Sequence, residues 1–314
     1  MKQDTPKKRD LISLADHSRE AIEAILDRAA ELKADLKAGG KHRPLVGKTL
    51  AMIFEKPSLR TRVTFETGVK QLGGESVYLA PDDIRLGARE TVADIARNLS
   101  RWVDMIVART FSHQVLVELA HHATIPVING LTDLLHPCQV LADCLTLREH
   151  RGELSRLTVA FVGDGNNVVN SWLNASVALG VGFRLACPRG YEPDAQILAR
   201  AKKLAGARVE ITHDPVAAVT GADAVYTDVW TSMGQEAESA VRRVAFAGYQ
   251  VNAALVKHAK RDALVMHCLP AHRGEEISAE VLDGPQSVVL DQAENRLHTQ
   301  KALMVWLAQA NGTD

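Results

Sequence analysis

The sequence has no excess of charge of either sign. Its 314 residues carry 37 Lys plus Arg against 38 Asp plus Glu, a formal net charge of −1. That balance does not advertise nucleic acid or an anionic membrane surface. A local basic pocket remains compatible with it, because net charge averages over the whole surface. Cysteine is scarce as well: Cys138, Cys144, Cys187 and Cys268 form no C-x-x-C pair and no dense framework. This usage suits a reducing compartment and argues against a structural zinc site. No stretch approaches the ~18 uninterrupted apolar residues of a membrane span. The N-terminus MKQDTPKKRD is basic, but no apolar run of signal-peptide length follows it. Low-complexity segments and short-period repeats are lacking too. The expectation is a cytoplasmic protein with no nucleic-acid or membrane partner.

What is present is an ordinary globular composition, 46% hydrophobic and 24% charged, in a chain long enough for two domains. Apolar residues at helical spacing predict a first helix over 16–37, stopped by Gly39-Gly40. Strands and helices then alternate. KTLAMIF (48–54), SVYLA, DMIVA (104–108) and PVIN read as strands. Helices are expected over 59–72, 91–102, the VLVELAHHA segment and 137–149, with Thr91 and Asp94 spaced like a capping box. The second half restarts the pattern with LTVAFV (157–162), then FRLAC, VEIT, AVYTD, ALVMH and SVVLD as strands, and a last helix over 294–310. About four strands before residue 150 and about six after it predict an α/β chain of two doubly wound domains, each a parallel sheet flanked by helices. The polar stretch EHRGELSR (149–156) is the expected boundary, giving domains 1–150 and 151–314.

Ligands in such sheets sit at the carboxyl ends of the strands. Six of these ends carry polar or reactive groups. The first strand leads into KPSLRTR, which places Ser58, Leu59, Arg60, Thr61 and Arg62 at a helix start, where free backbone N–H groups attract anions. A plain serine cap with solvated arginines is an equal reading of that stretch alone. Arg109 ends another strand and faces the ligand crevice. His136, Pro137 and Gln139 open a helix, so that an imidazole and an amide share one turn. The loop Gly163-Asp164-Gly165-Asn166-Asn167 resembles a dinucleotide fingerprint, but the third glycine position is Val168, and no acidic residue follows the next strand. Asp228 ends a strand and suits an ammonium. His267-Cys268-Leu269-Pro270 invites a Cys/His pair, yet neighbouring strand side chains point to opposite faces, so a thiol and backbone carbonyls facing an amine are the better reading.

Taken together, SLRTR, HPCQ, GDGNN, DVWTSMG, HCLP and AENR stand in the order and spacing of the ornithine carbamoyltransferase family, within the aspartate/ornithine carbamoyltransferase superfamily, and the resemblance covers nearly the whole chain. It implies that the anion is the phosphate of carbamoyl phosphate, that the first domain binds carbamoyl phosphate and the second L-ornithine, and that the last helix returns to the first domain. It also implies a homotrimer, possibly stacked into larger assemblies. By motif, Ser58, Arg60, Thr61 and the backbone of Leu59 would hold the phosphate, and Arg109, His136, Gln139 and Arg296 the carbamoyl group. Asn167, Asp228, Ser232 and Met233 would hold the amino-acid end of ornithine, and Cys268 and Leu269 would line the path of its side-chain amine. Arg109, His136, Cys268 and Arg296 are the implied catalytic residues, with no metal and no organic cofactor called for. Two positions depart from the family. Leu59 stands where a threonine is usual, so a hydroxyl contact is lost while the backbone N–H survives. Arg85 stands where Gln or His is common, in a loop that in the family reaches a neighbouring subunit's phosphate. The rival readings are a carbamoyltransferase for putrescine or aspartate, an NAD-dependent dehydrogenase built around GDGNN, and a non-catalytic scaffold.

Overall fold

A computed structural model describes residues 8–204, 208–231 and 236–312. Its chain divides into two compact units. One comprises the residues up to Leu141 together with Arg296 onward, and the other comprises Ala142–Asn295.

The first unit begins with α1, Arg19–Lys37, capped by the Ser18 hydroxyl, which accepts from the Ala21 N–H. Ile22, Ile25, Leu26, Ala29 and Leu32 recur on one face and are buried. Then come β1 (Thr49–Phe54), α2 (Leu59–Gln71), β2 (Glu75–Leu79), the single turn α3 (Pro81–Ile84), α4 (Val92–Trp102), β3 (Met105–Arg109), α5 (His113–His122), β4 (Val127–Leu131) and α6 (Pro137–Arg151). The Thr91 hydroxyl caps α4 as its spacing predicts, accepting from the Asp94 N–H at 3.1 Å. The strands form one parallel sheet in the order β2-β1-β3-β4. Ala51, Ile53, Ile106, Ala108 and Val127 from three strands pack with Ile95, Leu99, Leu116 and Leu119 from α4 and α5. Burying each large aliphatic side chain is worth roughly 1.5–3 kcal/mol before the entropy of ordering it is counted.

The second unit contains β5 (Thr158–Val162), α7 (Asn167–Leu179), β6 (Gly182–Ala186), α8 (Ala195–Lys203), β7 (Val209–Thr212), α9 (Pro215–Val219), β8 (Ala224–Thr227), α10 (Ser239–Ala245), α11 (Ala253–Val256), β9 (Leu264–His267), α12 (Ala279–Leu282) and the start of α13 (Val289–Ala310). Its sheet is also parallel, in the order β7-β6-β5-β8-β9. Trp172 of α7 lies flat on Phe183 of β6, with ring centres 5.8 Å apart. The two long helices α6 and α13 each continue from one unit into the other.

The SVVLD segment corrects one expectation. Ser287 makes an isolated bridge to Val265, and the Val288 N–H donates to the Val265 carbonyl, but α13 starts at Val289. Among the described residues the second sheet therefore has five strands, not six.

Both sheets reverse their order once. In the first, the chain steps outward from β1 to β2 and then returns to the other side of β1 as β3. In the second, β6 and β7 lie on one side of β5, and β8 and β9 on the other. Loops leaving neighbouring strands diverge at such a point and leave a crevice at the carboxyl ends. KPSLRTR and Arg109 flank the first reversal, and GDGNN and Asp228 flank the second.

Candidate functional site

At the first reversal, register places Phe54, the last residue of β1, beside Arg109, the last of β3. Beyond Phe54 the chain turns into α2. Ser58 is the cap of that helix, its hydroxyl accepting from the Thr61 N–H at 3.3 Å. The Leu59 side chain is 74% exposed, so it lies outside the cluster at this helix start. Thr61 turns inward and is buried.

Arg296 of α13 is 2% exposed. Its guanidinium donates to Oε1 of Gln139 at 2.7 Å and to Oγ1 of Thr61 at 3.2 Å. One cation thus ties the start of α2 to the start of α6. Arg109, His136 and Gln139 are buried in the same unit. Burial, followed by the charges of Arg296, Arg109 and Arg60, holds His136 well below its ordinary pKa of 6.5. The ring is therefore neutral near pH 7 and brings an N–H donor without a further charge. Cys138 is buried beside it and donates to the Asn129 carbonyl at 3.3 Å. Burial pushes its thiol up to about 12, which makes it inert as a nucleophile. Arg85 is exposed, with φ +40° at the end of α3.

At the second reversal, Asn166 caps α7, its side-chain oxygen accepting from the N–H groups of Val168 and Val169. Its amide nitrogen donates to Asp228 at 2.8 Å, and the other carboxylate oxygen of Asp228 accepts from the Val229 N–H at 2.8 Å. Asp228 is only 8% exposed and so is held in one orientation. Asn167 is half-buried in the first turn of α7. Gly165 is required by packing, since a Cβ there would lie 2.4 Å from the Pro193 nitrogen. Val168 is buried where a dinucleotide loop would place its third glycine. The GDGNN loop thus supports Asp228, and Ser232 and Met233 lie outside the described residues.

The ligating atoms of Asp228, His267 and Cys268 all fall within 4.8 Å of one another. The neighbouring side chains His267 and Cys268 therefore do not diverge as they would inside a strand, because β9 ends at His267. His267 is nevertheless engaged elsewhere, with Nε2 3.1 Å from Glu276 and Nδ1 2.9 Å from the Leu269 nitrogen. It has no nitrogen left to activate the thiol.

Local sequence pattern did not disclose Asn166 as the partner of Asp228, 62 residues away. Nor did it disclose Arg242, which donates to Asp164 at 2.9 Å and to the Trp230 carbonyl at 3.0 Å. Burial raises Asp164 to about 6 even with Arg242 beside it. Glu276 was overlooked as well. The one available signal was a glutamate nine residues beyond a strand-terminal histidine.

Comparison with known proteins places the chain in a family. Residues 9–149 match the family model described as the carbamoyl-P binding domain of aspartate/ornithine carbamoyltransferase, and residues 155–307 match that of the Asp/Orn binding domain. An ornithine carbamoyltransferase of Symbiobacterium thermophilum is 57% identical over 96% of this chain and 98% of its own length. One of Pyrococcus furiosus, named as anabolic, is 54% identical over 94% of this chain and 95% of its own. A solved structure of ornithine carbamoyltransferase from Pyrococcus furiosus superposes with a TM-score of 0.92 at 52% identity, covering 96% of this chain and 97% of that one.

Proposed function

The chain belongs to the aspartate/ornithine carbamoyltransferase family, and from that premise we propose that it transfers the carbamoyl group of carbamoyl phosphate to the side-chain amine of L-ornithine, giving L-citrulline and phosphate. The observation that carries the reading is the buried Thr61–Arg296–Gln139 cluster, with a neutral His136, at the first sheet reversal. Four donors of that kind suit a carbamoyl oxygen, and the start of α2 with Arg60 suits a phosphate.

In this reading the first unit binds carbamoyl phosphate, through Ser58, the Leu59 backbone, Arg60 and Thr61 at the phosphate and Arg109, His136, Gln139 and Arg296 at the carbamoyl group. The second unit binds ornithine. Asp228 takes the α-ammonium and Asn167 the carboxylate, with Ser232 and Met233 closing over them. Cys268 and Leu269 line the path of the reacting amine. Asp228 favours ornithine over aspartate, whose extra carboxylate it would repel.

The amine must lose its proton before it attacks the carbonyl carbon. Negative charge then develops on the carbonyl oxygen. Thr61, Arg109, His136 and Arg296 are preorganised donors for it, and in their buried surroundings they act more strongly than in water. As the tetrahedral intermediate collapses, the C–O bond to phosphate breaks, and the departing phosphate takes the proton that the nitrogen sheds. Fixing two mobile reactants in line supplies much of the remaining acceleration.

A homotrimer fits the exposed apolar face of α2, where Leu59 is 74% and Val63 48% exposed in the single chain. A cytoplasmic location fits four free cysteines. Among the described residues, no helix is long and apolar enough to cross a membrane. The test is purified protein with carbamoyl phosphate and, separately, ornithine, putrescine, aspartate and N-acetylornithine. Citrulline from ornithine alone is expected. Product from another amine would overturn the assignment of Asp228, and no product from any would overturn the reading as a whole.

A further inference from the structure

His267 closes β9, and its backbone N–H donates to the Gln292 side chain at 3.0 Å. Its imidazole is 1% exposed, and both of its nitrogens are used. Nδ1 lies 2.9 Å from the backbone nitrogen of Leu269, and Nε2 lies 3.1 Å from Oε1 of Glu276. A backbone N–H can only donate, so Nδ1 is the acceptor. The ring proton is thereby placed on Nε2, which donates to Glu276. Glu276 is fully buried, and the same oxygen also accepts the His272 N–H at 2.5 Å. Burial pushes its carboxyl up, but the bonds from His267 and His272 outweigh that, and it is held below its ordinary value of 4.5. It is an anion suited to an N–H donor.

The residue anchored by this arrangement is itself unusual. Leu269 has φ +57°, a left-handed conformation that residues other than glycine rarely adopt. The peptide linking Cys268 to Leu269 is trans, so its N–H and C=O point in opposite directions. An N–H aimed at His267 therefore turns the Cys268 carbonyl away from the imidazole.

We propose that Glu276 and His267 form a positioning pair for the ornithine amine. Glu276 holds the Nε2–H tautomer, Nδ1 anchors the Leu269 N–H, and the Cys268 carbonyl is thereby set to receive the amine. Neither residue touches the substrate. The inference rests on the ornithine reading of this strand end, and it assigns work to two buried groups that the transfer step itself does not use.

Two substitutions separate positioning from plain stability. The His267→Gln amide reaches as far as Nε2 and keeps the bond to Glu276, but offers nothing to the Leu269 N–H. The His267→Asn oxygen takes the place of Nδ1 and keeps Leu269, but leaves Glu276 without its donor. We expect His267→Gln to raise the ornithine KM about tenfold or more and His267→Asn to leave it within about threefold, as one backbone anchor is lost or kept. Carbamoyl phosphate affinity should stay within about twofold in both, since the pair lies in the other unit. Thermal stability should run the opposite way, with His267→Asn the less stable because a buried anion loses a hydrogen bond. An ornithine KM that follows Tm, or one unchanged in His267→Gln, overturns the proposal.

If His267→Asn does not fold, Glu276→Ala and Glu276→Gln decide. The first should raise the ornithine KM with carbamoyl phosphate affinity unchanged, and the second should restore it. An unchanged ornithine KM in Glu276→Ala overturns the pair. A wild-type protein that makes no citrulline retires the ornithine reading, and the inference with it, before any variant is compared.

Discussion

The two sheet reversals have the same topology and opposite chemistry. At the first, cations converge: Arg296 and Arg109 are buried, Arg60 is half-buried, and His136 is kept neutral by burial and then by the charges around it. At the second, the fixed group is an anion, Asp228, held by an asparagine amide and a backbone N–H. A doubly wound sheet supplies a crevice and does not specify what it binds. The charge sign of the few side chains turned into it does. In the proposed reading the first reversal serves a phosphate and a developing oxyanion, and the second an ammonium. Self-repulsion among buried cations is tolerated at the first because Gln139 and Thr61 take the Arg296 donors and because histidine, not a further arginine, stands among them.

The largest effect should come from removing a cation at the first reversal. Arg109→Ala and Arg60→Ala are each expected to cost at least ~2.7 kcal/mol of transition-state stabilisation, about 100-fold in kcat/KM. Steady-state kinetics with both substrates varied will check this. A near-normal rate in either variant would break the contrast by removing the cationic half of it.

Next in size is the anion. Asp228→Asn keeps an acceptor for the Val229 N–H but loses the charge. The ornithine KM should rise roughly 10- to 100-fold, as for a hydrogen bond to a charged group worth about 1.5–3 kcal/mol. Carbamoyl phosphate binding, followed by calorimetry in the absence of ornithine, should hardly change. If carbamoyl phosphate affinity fell as far as ornithine affinity, the division of labour between the two reversals would be wrong.

Much of this contrast was legible in the sequence. Alternating apolar runs located all nine strands of the described residues to within a residue or two and added a tenth that does not form, and strand ends pointed to Ser58, Arg109, His136, Asp228 and Cys268. The failures have a common cause. The SVVLD run reads as strand because valine suits a pleated surface, yet packing carries Val289 into α13. Several partners lie far off in sequence: Arg296 is 235 residues from Thr61, and Arg242 is 78 from Asp164. Periodicity reports which face of an element is buried and says nothing about which distant side chain meets it there. The motif resemblance did reach Arg296, although nothing in the local pattern of the last helix marked it as a site residue.

The neutrality of His136 offers a third test, through stability. In the unfolded chain this imidazole takes a proton near its ordinary value of 6.5, whereas in the fold it resists protonation until the pH is well below that. The unfolded state therefore binds more protons as the pH falls through 6.5, and the folded state loses stability in that window. Between about pH 7.5 and about pH 5.5 the loss from this one group should be about 1.4 kcal/mol. His136→Gln does not titrate, so urea denaturation at the two pH values should show a smaller drop in the variant by about that amount. Equal drops would mean that His136 takes its proton in the fold as readily as in the unfolded chain, and a smaller drop in the wild type would mean that it is already charged there, adding one more cation to the first reversal.

The smallest effect concerns Arg85. It is exposed in the single chain and sits in the left-handed region at φ +40°, between Ile84 and Leu86, which pack against the core of the first unit. We expect it to reach the phosphate bound by a neighbouring copy, which would extend the cationic set of the first reversal across a subunit boundary. Arg85→Gln keeps the same backbone demand and removes only the charge. Carbamoyl phosphate should then bind about threefold more weakly, the size of effect expected for an exposed charge pair, and the difference should shrink as salt is added, because exposed pairs are screened. Isothermal titration at two ionic strengths will read this, alongside sedimentation to establish that both proteins assemble alike. Identical affinities at low salt would confine the cationic cluster to the residues buried within one chain, and the contrast between the two reversals would then be a property of the single subunit.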